Sequence, residues 1–299
     1  MGRDTRSLEA DHHAPGADRF VVADGLRTRY LDFPGRDPTL VLLHGLSANA
    51  NEFGGLVGAG LSPSFRIVAP DLRGRGRTDK PVSGYSMAHH ASDVIALLDA
   101  LGLERVVLGG HSFGALLAIF IAADYPERVS KLIIIDAAIT LHPQVREMLK
   151  PSLDRLTQVL PSVESYIQQV RTAPFVADCW DAALEGYYRA EIQENPDGTA
   201  QSATSASAIA QALEGVAAEP WRELVGRVTQ PVLLLNALGP YGPPGSPPLV
   251  SREHARDTAA AFADCSYVQV PGNHLTVVFG DNAAVVRREI ETFVRNGAV

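Results

Sequence analysis

Short apolar runs separated by amphipathic stretches recur along this chain. Those at 39–43, 65–69, 105–109 and 131–136 are each five or six residues long and nearly continuous in apolar character. They are too short for helices and too unbroken for half-exposed strands, so they predict strands buried on both faces. Helical patterns, such as Met87 to Leu101 and Ala115 to Ala123, fall between them. That alternation predicts a mostly parallel sheet with helices on both faces. Ahead of it, Phe20 to Asp32 reads as a hairpin turning at Asp24-Gly25, a pair suited to a type I′ turn.

The alternation stops after Ala137. From there to Arg227 the pattern is helical and irregular, broken by Pro151, Pro161, Pro174 and Pro196, with a polar stretch from Glu194 to Ser207 predicted as a loop. Pro231-Val-Leu-Leu-Leu-Asn236 resumes the sheet and Ser266 to Val270 supplies its last strand. The predicted organisation is a flexible tail over 1–18, an α/β core over 19–137 and 227–299, and a helical cap over 138–226 set above the strand ends. No internal repeat is visible.

Composition narrows the class of protein. With 299 residues, 46% hydrophobic and 20% charged, the chain has the balance of a globular enzyme with a large core. A net charge of -8 argues against nucleic acid or an anionic membrane surface as a partner. No apolar run approaches the roughly 18 residues of a membrane helix, and the charged N-terminus lacks the apolar segment of a signal peptide. Arg6 stands where a myristoylation signal needs Ser or Thr. Cys179 and Cys265 are too few for a disulfide framework. A cytoplasmic protein is expected.

The candidate chemistry centres on Gly110-His-Ser112-Phe-Gly114, which follows the apolar run Val106 to Leu108 and opens a helical one. Strand, G-x-S-x-G, helix is a nucleophile elbow. The turn is so tight that a side chain two residues either side of the serine would meet backbone, which glycine avoids. Ser112 is then lifted above the sheet at a helix N-terminus, where N–H groups face a developing anion.

Such a serine needs a base. His274, in the turn Pro271-Gly-Asn-His274 after a strand-like run, would present its imidazole at the sheet's C-terminal edge. The other histidines fit less well: His12 and His13 lie in the tail, His89 and His90 read as helix surface, and His111 is the variable residue of the elbow. An apolar strand opening into His44-Gly45-Leu46 can aim a backbone N–H, that of Leu46, at the oxyanion beside the N–H of Phe113.

Together these residues resemble the α/β-hydrolase superfamily from about Arg19 to the C-terminus. Asp71-Leu-Arg-Gly-Arg-Gly76-Arg-Thr-Asp79 resembles that family's glycine-rich loop. It lacks the spacing of a phosphate-binding or dinucleotide loop, so its arginines are expected to be solvated or paired with nearby carboxylates. No histidine, cysteine and carboxylate set has metal-ligand spacing, and the resemblance implies no cofactor.

The family's commonest acid lies a few residues beyond the strand at Pro231 to Leu235, yet Asn236 to Gly245 holds no carboxylate. Asp136, ending the strand Lys131 to Ile135, lies between Ser112 and His274 in the superfamily's chain order. Thioesterase domains and some dehalogenases resemble this chain in placing their acid there. Asp264, Asp257 and an acid-free Ser-His dyad stay open as alternatives.

The resemblance implies a serine hydrolase for a mainly apolar carboxylic ester or lactone, acting through an acyl-enzyme. Thioesterase or macrolactone-type acyl transfer, carbon-carbon bond hydrolysis, lactonase and cofactor-free haloperoxidase activities remain open. A ligand sensor on a hydrolase scaffold is the alternative of another class. Phe175, Trp180, Tyr187, Tyr188 and Trp221 are candidates for pocket lining or plain core, and Tyr241 to Pro248 reads as a stiff loop bordering the site.

Overall fold

The computed structural model describes residues 16–140, 142–176, 179–243 and 245–296, and of Arg146 only the backbone. Most of the predicted tail, Pro244 in the stiff loop, and Leu141, Ala177 and Asp178 in the insertion lie outside the described residues.

The hairpin forms as expected. β1 (Ala17–Ala23) pairs antiparallel with β2 (Leu26–Phe33), and Asp24 and Gly25 between them both take positive φ, 48° and 77°, as a type I′ turn requires. The apolar runs become β3 (Leu40–Leu43), β4 (Ile67–Pro70), β5 (Val106–His111) and β6 (Val129–Ile135). β3, β4 and β5 are buried at every position, which explains the missing polar alternation in their sequences.

Short helical turns α1 (Gly54–Gly58) and α2 (Leu61–Ser64) follow β3. α3 (Met87–Ala100) precedes β5, and α4 (Phe113–Asp124) leaves it. Every residue of α4 from Phe113 to Ala123 is buried, so this helix shows no polar stripe. α3 is amphipathic, with Met87, His90, Ala91, Val94, Leu97 and Leu98 on its buried face. His90 therefore lies inward, correcting the surface reading: it stands three residues after Met87, on the apolar stripe.

The segment after β6 carries α5 (Val145–Arg155), β7 (Val159–Leu160), α6 (Val163–Arg171), α7 (Ala182–Ala190), β8 (Ile192–Glu194), β9 (Ala200–Ser202), α8 (Ala206–Ala218) and α9 (Trp221–Arg227). The stretch expected as a loop from Glu194 to Ser207 is instead largely a hairpin. β8 and β9 pair antiparallel around a turn closed by Asn195 N–H on Thr199 O (2.7 Å), and β9 also pairs with β7. Three-residue strands carry too little pattern to register against their polar content.

β10 (Val232–Ala237) and β11 (Cys265–Val270) flank α10 (Arg252–Ala261), and α11 (Gly280–Arg295) ends the described fold. The eight-stranded sheet runs β1-β2-β4-β3-β5-β6-β10-β11, parallel from β4 to β11. Apolar side chains fill both faces: α3, α4, α8 and α9 cover one with Leu97, Leu117, Ala212 and Val225, and α1, α7 and α11 cover the other with Leu56, Leu184 and Ile290. The C-terminal ends of β3, β5, β6, β10 and β11 then open on one edge of the sheet.

Candidate active site

Ser112 sits at the hinge between β5 and α4 with φ 53° and ψ -118°, a strained conformation for a residue with a side chain. The glycines around it answer to close contacts. A Cβ on Gly110 would fall 2.3 Å from the Gly114 carbonyl carbon, and one on Gly114 would fall 2.0 Å from Leu43 O. Ser112 N–H donates to Ile135 O on the neighbouring strand (3.0 Å), tying the elbow to β6.

His274 is held by an Asx turn after β11. Asn273 Oδ1 accepts from the N–H groups of Leu275 (3.0 Å) and Thr276 (2.9 Å), while its Nδ2 donates to Phe175 O (2.9 Å). The imidazole Nδ1 lies 2.7 Å from Asp136 Oδ2, and Nε2 lies 3.0 Å from Ser112 Oγ. A carboxylate on Nδ1 selects the tautomer protonated there and leaves Nε2 as the acceptor for the serine hydroxyl. Burial lowers the His274 pKa, and the neighbouring His111 adds to that, against the pull of Asp136.

Asp136 is fully buried at positive φ, 48°. Its Oδ1 accepts from Asn236 Nδ2 (3.0 Å) and from Ala237 N–H (2.9 Å), both at the end of β10. All three sequence-predicted residues thus meet in one hydrogen-bonded line. Asp264 and Asp257 make no hydrogen bond or ion pair with His274 among the described residues.

The turn after β3 is pinned on every side. Gly45 N–H donates to Glu52 Oε2 (2.9 Å), and Gly45 O accepts from His44 Nδ1 (2.7 Å) and Ala48 N–H (3.2 Å). His44 Nε2 accepts from Leu72 N–H (2.9 Å), which fixes the tautomer. With Gly45 O held, the trans peptide points the Leu46 N–H the opposite way. Neither that N–H nor the Phe113 N–H has an acceptor among the described residues.

Two buried groups near the serine carry no sequence motif. His111 Nδ1 bonds Glu52 Oε1 (3.0 Å), and the His111 ring lies 4.6 Å from that of His274. Burial alone would lower His111, but Glu52 beside it raises the pKa overall; burial would raise Glu52, and His111 holds it down. This reads as a buried ion pair backing the elbow. Of the loop arginines, Arg73 pairs with Asp93 and Arg77 with Asp18 as expected. Arg75 does not: it is fully buried and bonds no carboxylate among the described residues.

Ser112, His274 and Asp136 open into a cavity of about 300 Å³. The insertion supplies much of its wall, including Leu149, Leu153, Leu213 and Val216, with Phe175, Tyr187 and Tyr188. Tyr241 borders it too, its ring 5.0 Å from that of His274. Trp180 instead stacks on Tyr188 (5.9 Å), and the Trp221 indole N–H donates to Val216 O (2.8 Å). Deeper in the insertion Glu191 accepts from Tyr166 Oη (2.5 Å), Tyr187 Oη (2.7 Å) and Arg155 Nη2 (3.1 Å). Burial would lower Arg155, and Glu191 raises it well above the ordinary range.

Among the described residues, no group of three or more histidine, cysteine or acidic side chains could hold a metal, and no helix is long and apolar enough to cross a membrane.

Comparison with known proteins agrees with this fold. Residues 38–281 match the family described as the alpha/beta hydrolase fold. The chain is 29% identical over 265 residues to 2-(acetamidomethylene)succinate hydrolase of Mesorhizobium japonicum, covering 86% of this chain and 89% of that protein. An uncharacterized protein of Mycobacterium tuberculosis is 38% identical over 124 residues, and the match spans 36% of its length. Among solved structures, E-2-(acetamidomethylene)succinate hydrolase superposes with a TM-score of 0.81 at 24% identity, over 93% of this chain and 99% of that one.

Proposed function

This chain belongs to the alpha/beta hydrolase family, and from that premise we propose that it is a serine hydrolase cleaving a carboxylic ester or lactone of a mainly apolar small molecule. The observation that carries the reading is the unbroken line from Ser112 Oγ through the His274 imidazole to buried Asp136. Ser112 Oγ attacks the acyl carbon while its proton passes to His274 Nε2. The carbonyl oxygen becomes an anion facing the N–H groups of Leu46 and Phe113, two donors of the kind worth about 3 kcal/mol each. Collapse expels the alcohol oxygen, which takes the proton from Nε2 and leaves an acyl-enzyme. Water then attacks the acyl carbon, giving its proton to His274, and the acid departs as Ser112 regains its hydrogen. Asp136 keeps Nδ1–H directed toward itself and stabilises the imidazolium at each stage.

The insertion acts as a cap in this reading, selecting the acyl or alcohol part through its apolar wall. A second reading is hydrolysis of an amide-like bond, favoured by the near full-length similarity to the succinate hydrolase whose name records an acetamido group. Both follow the same acyl-enzyme path and differ in the leaving atom.

The test is turnover of p-nitrophenyl esters and secondary enamides of graded length, with fluorophosphonate labelling located by peptide mass. Steady ester hydrolysis and label on Ser112 are expected. Label on another residue, or one slow acylation without turnover, sinks the proposal. Amide turnover exceeding ester turnover selects the second reading.

A further inference from the structure

Arg75 is the one fully buried arginine among the described residues, and its surroundings are unusual for a cation. Nε donates to Leu46 O (3.0 Å), and Nη1 donates to Arg73 O (2.6 Å) and to His90 Nε2 (2.8 Å). His90 accepts there because its Nδ1–H is spent on Ser86 O (2.8 Å), and burial together with Arg75 keeps that imidazole neutral. Nη2 is buried without a partner among the described residues. The guanidinium carbon lies 5.2 Å from the centre of the Phe113 ring.

A buried charge with no counter-ion is costly and is ordinarily neutralised or paired. Burial draws Arg75 down to about 9, and the neighbouring Arg73 adds to that, against a pull upward from Tyr85. Mere packing would be served as well by an apolar side chain. The guanidinium instead touches both residues whose N–H groups face the cavity: it grips the carbonyl of Leu46 and lies beside the ring of Phe113. Gly45 O is already held by His44 and Ala48. Fixing Leu46 O as well clamps the peptide planes on both sides of the Leu46 α-carbon, which leaves its N–H one direction. The unneutralised charge behind the two donors also raises the potential where an oxyanion forms, and a low-dielectric surround magnifies that effect.

We propose that Arg75 is a positioning residue of the acyl-transfer site, locking the Leu46 turn in its donor orientation and lending uncompensated positive charge to the oxyanion hole. The inference rests on the serine-hydrolase reading above. It predicts that loss of Arg75 is felt in the transition state and scarcely in substrate binding.

The experiment compares wild type with Arg75→Lys and Arg75→Met on p-nitrophenyl acetate, alongside inhibition by a trifluoromethyl ketone, whose carbonyl adds Ser112 Oγ to give an oxyanion. Arg75→Met is expected to lower kcat about tenfold or more with KM within about threefold. Its inhibitor Ki should rise in proportion to the loss in kcat/KM, and Arg75→Lys, which keeps charge without the fork, should fall between. Should Arg75→Met fail to fold, Arg75→Lys alone carries the test with a loss of about fivefold and a matching rise in Ki. A folded variant with wild-type kcat overturns the inference, as does a kcat loss with unchanged Ki. Absence of turnover and of fluorophosphonate labelling in the wild type would instead remove the serine-hydrolase reading itself.

Discussion

Asp136 shows how a single residue is read from what its neighbours lack. The stretch from Asn236 to Gly245 contains no carboxylate, so the charge behind His274 has to come from another strand, and chain order leaves the end of β6 as the natural source. The structure adds why that substitution is tolerated. The end of β10, where the commoner acid would sit, contributes Asn236 Nδ2 and Ala237 N–H as donors to Asp136 Oδ1. An aspartate at 236 would place two buried carboxylates face to face. Asp136→Asn is therefore expected to fold, since an amide can keep one of these contacts, and to lower kcat by on the order of 10³ to 10⁴, because it favours the wrong imidazole tautomer. Kinetics on a purified variant with native circular dichroism decide it, and retention of a tenth of the activity would remove Asp136 from the relay. Ser112, His274 and Asp136 were legible as candidates because each closely follows a recognisable strand. Glu52, His111, Arg75 and His90 were not. Their pairing joins residues as much as 59 positions apart, and a buried ion pair leaves no local spacing to read.

Among the elements, the elbow is the one whose sequence and geometry agree most closely. Three backbones converge there: Gly110 faces Gly114, and Gly114 faces the end of β3 at Leu43 and His44. Neither contact can be relieved by rotating a side chain, since both involve main-chain atoms. Gly114→Ala should cost about 3 kcal/mol or more, above the usual range for overpacking. Urea unfolding of this variant would measure it, and a loss below about 1 kcal/mol would mean that β3 and α4 can separate freely. By contrast, Gly58→Ala meets nothing within 4 Å and serves as the control. The β7–β9 sheet is the element that sequence reading missed. Its strands are two or three residues long, β8 and β9 are mostly polar, and they exist because the pairing itself satisfies backbone groups. The helices of the insertion were anticipated as a class but not individually, since Pro151 lies inside α5 instead of ending it.

At the scale of the whole molecule, the strand alternation, the interrupting insertion and the resumption of the sheet were all visible in the periodicity. What periodicity cannot carry is the electrostatic state of the interior, and this has a measurable consequence. Burial lowers the pKa values of His44, His90 and His274, so each takes up a proton less readily in the folded chain than in the unfolded one. In the unfolded chain each returns to about 6.5. For such a group the stability contribution is fully present above the unfolded value and is lost as pH falls below it, because the unfolded state then binds the extra proton. His111 acts in the opposite sense. Its raised pKa, due to Glu52 against the effect of burial, gives stability that is present below about 6.5 and lost as pH rises through the folded value. Three groups against one set the balance. Stability should fall as pH drops from about 6.5 toward 5, each fully engaged histidine adding about 1.4 kcal/mol per pH unit. Asp18 and Glu52, whose folded pKa values are lowered, lose their contributions only at lower pH, as acid titrates carboxylates. The window above about 5 is therefore set mainly by the imidazoles, opposed in part by Asp93 and Glu219, whose folded pKa values burial raises. Urea midpoints measured at half-unit steps through it should decline, and His90→Gln, whose amide oxygen can still accept from Arg75, should flatten the slope by about one proton's worth. An acid slope identical in wild type and His90→Gln would mean that His90 takes up a proton in the folded protein, and the neutral acceptor beneath Arg75 would be lost with it.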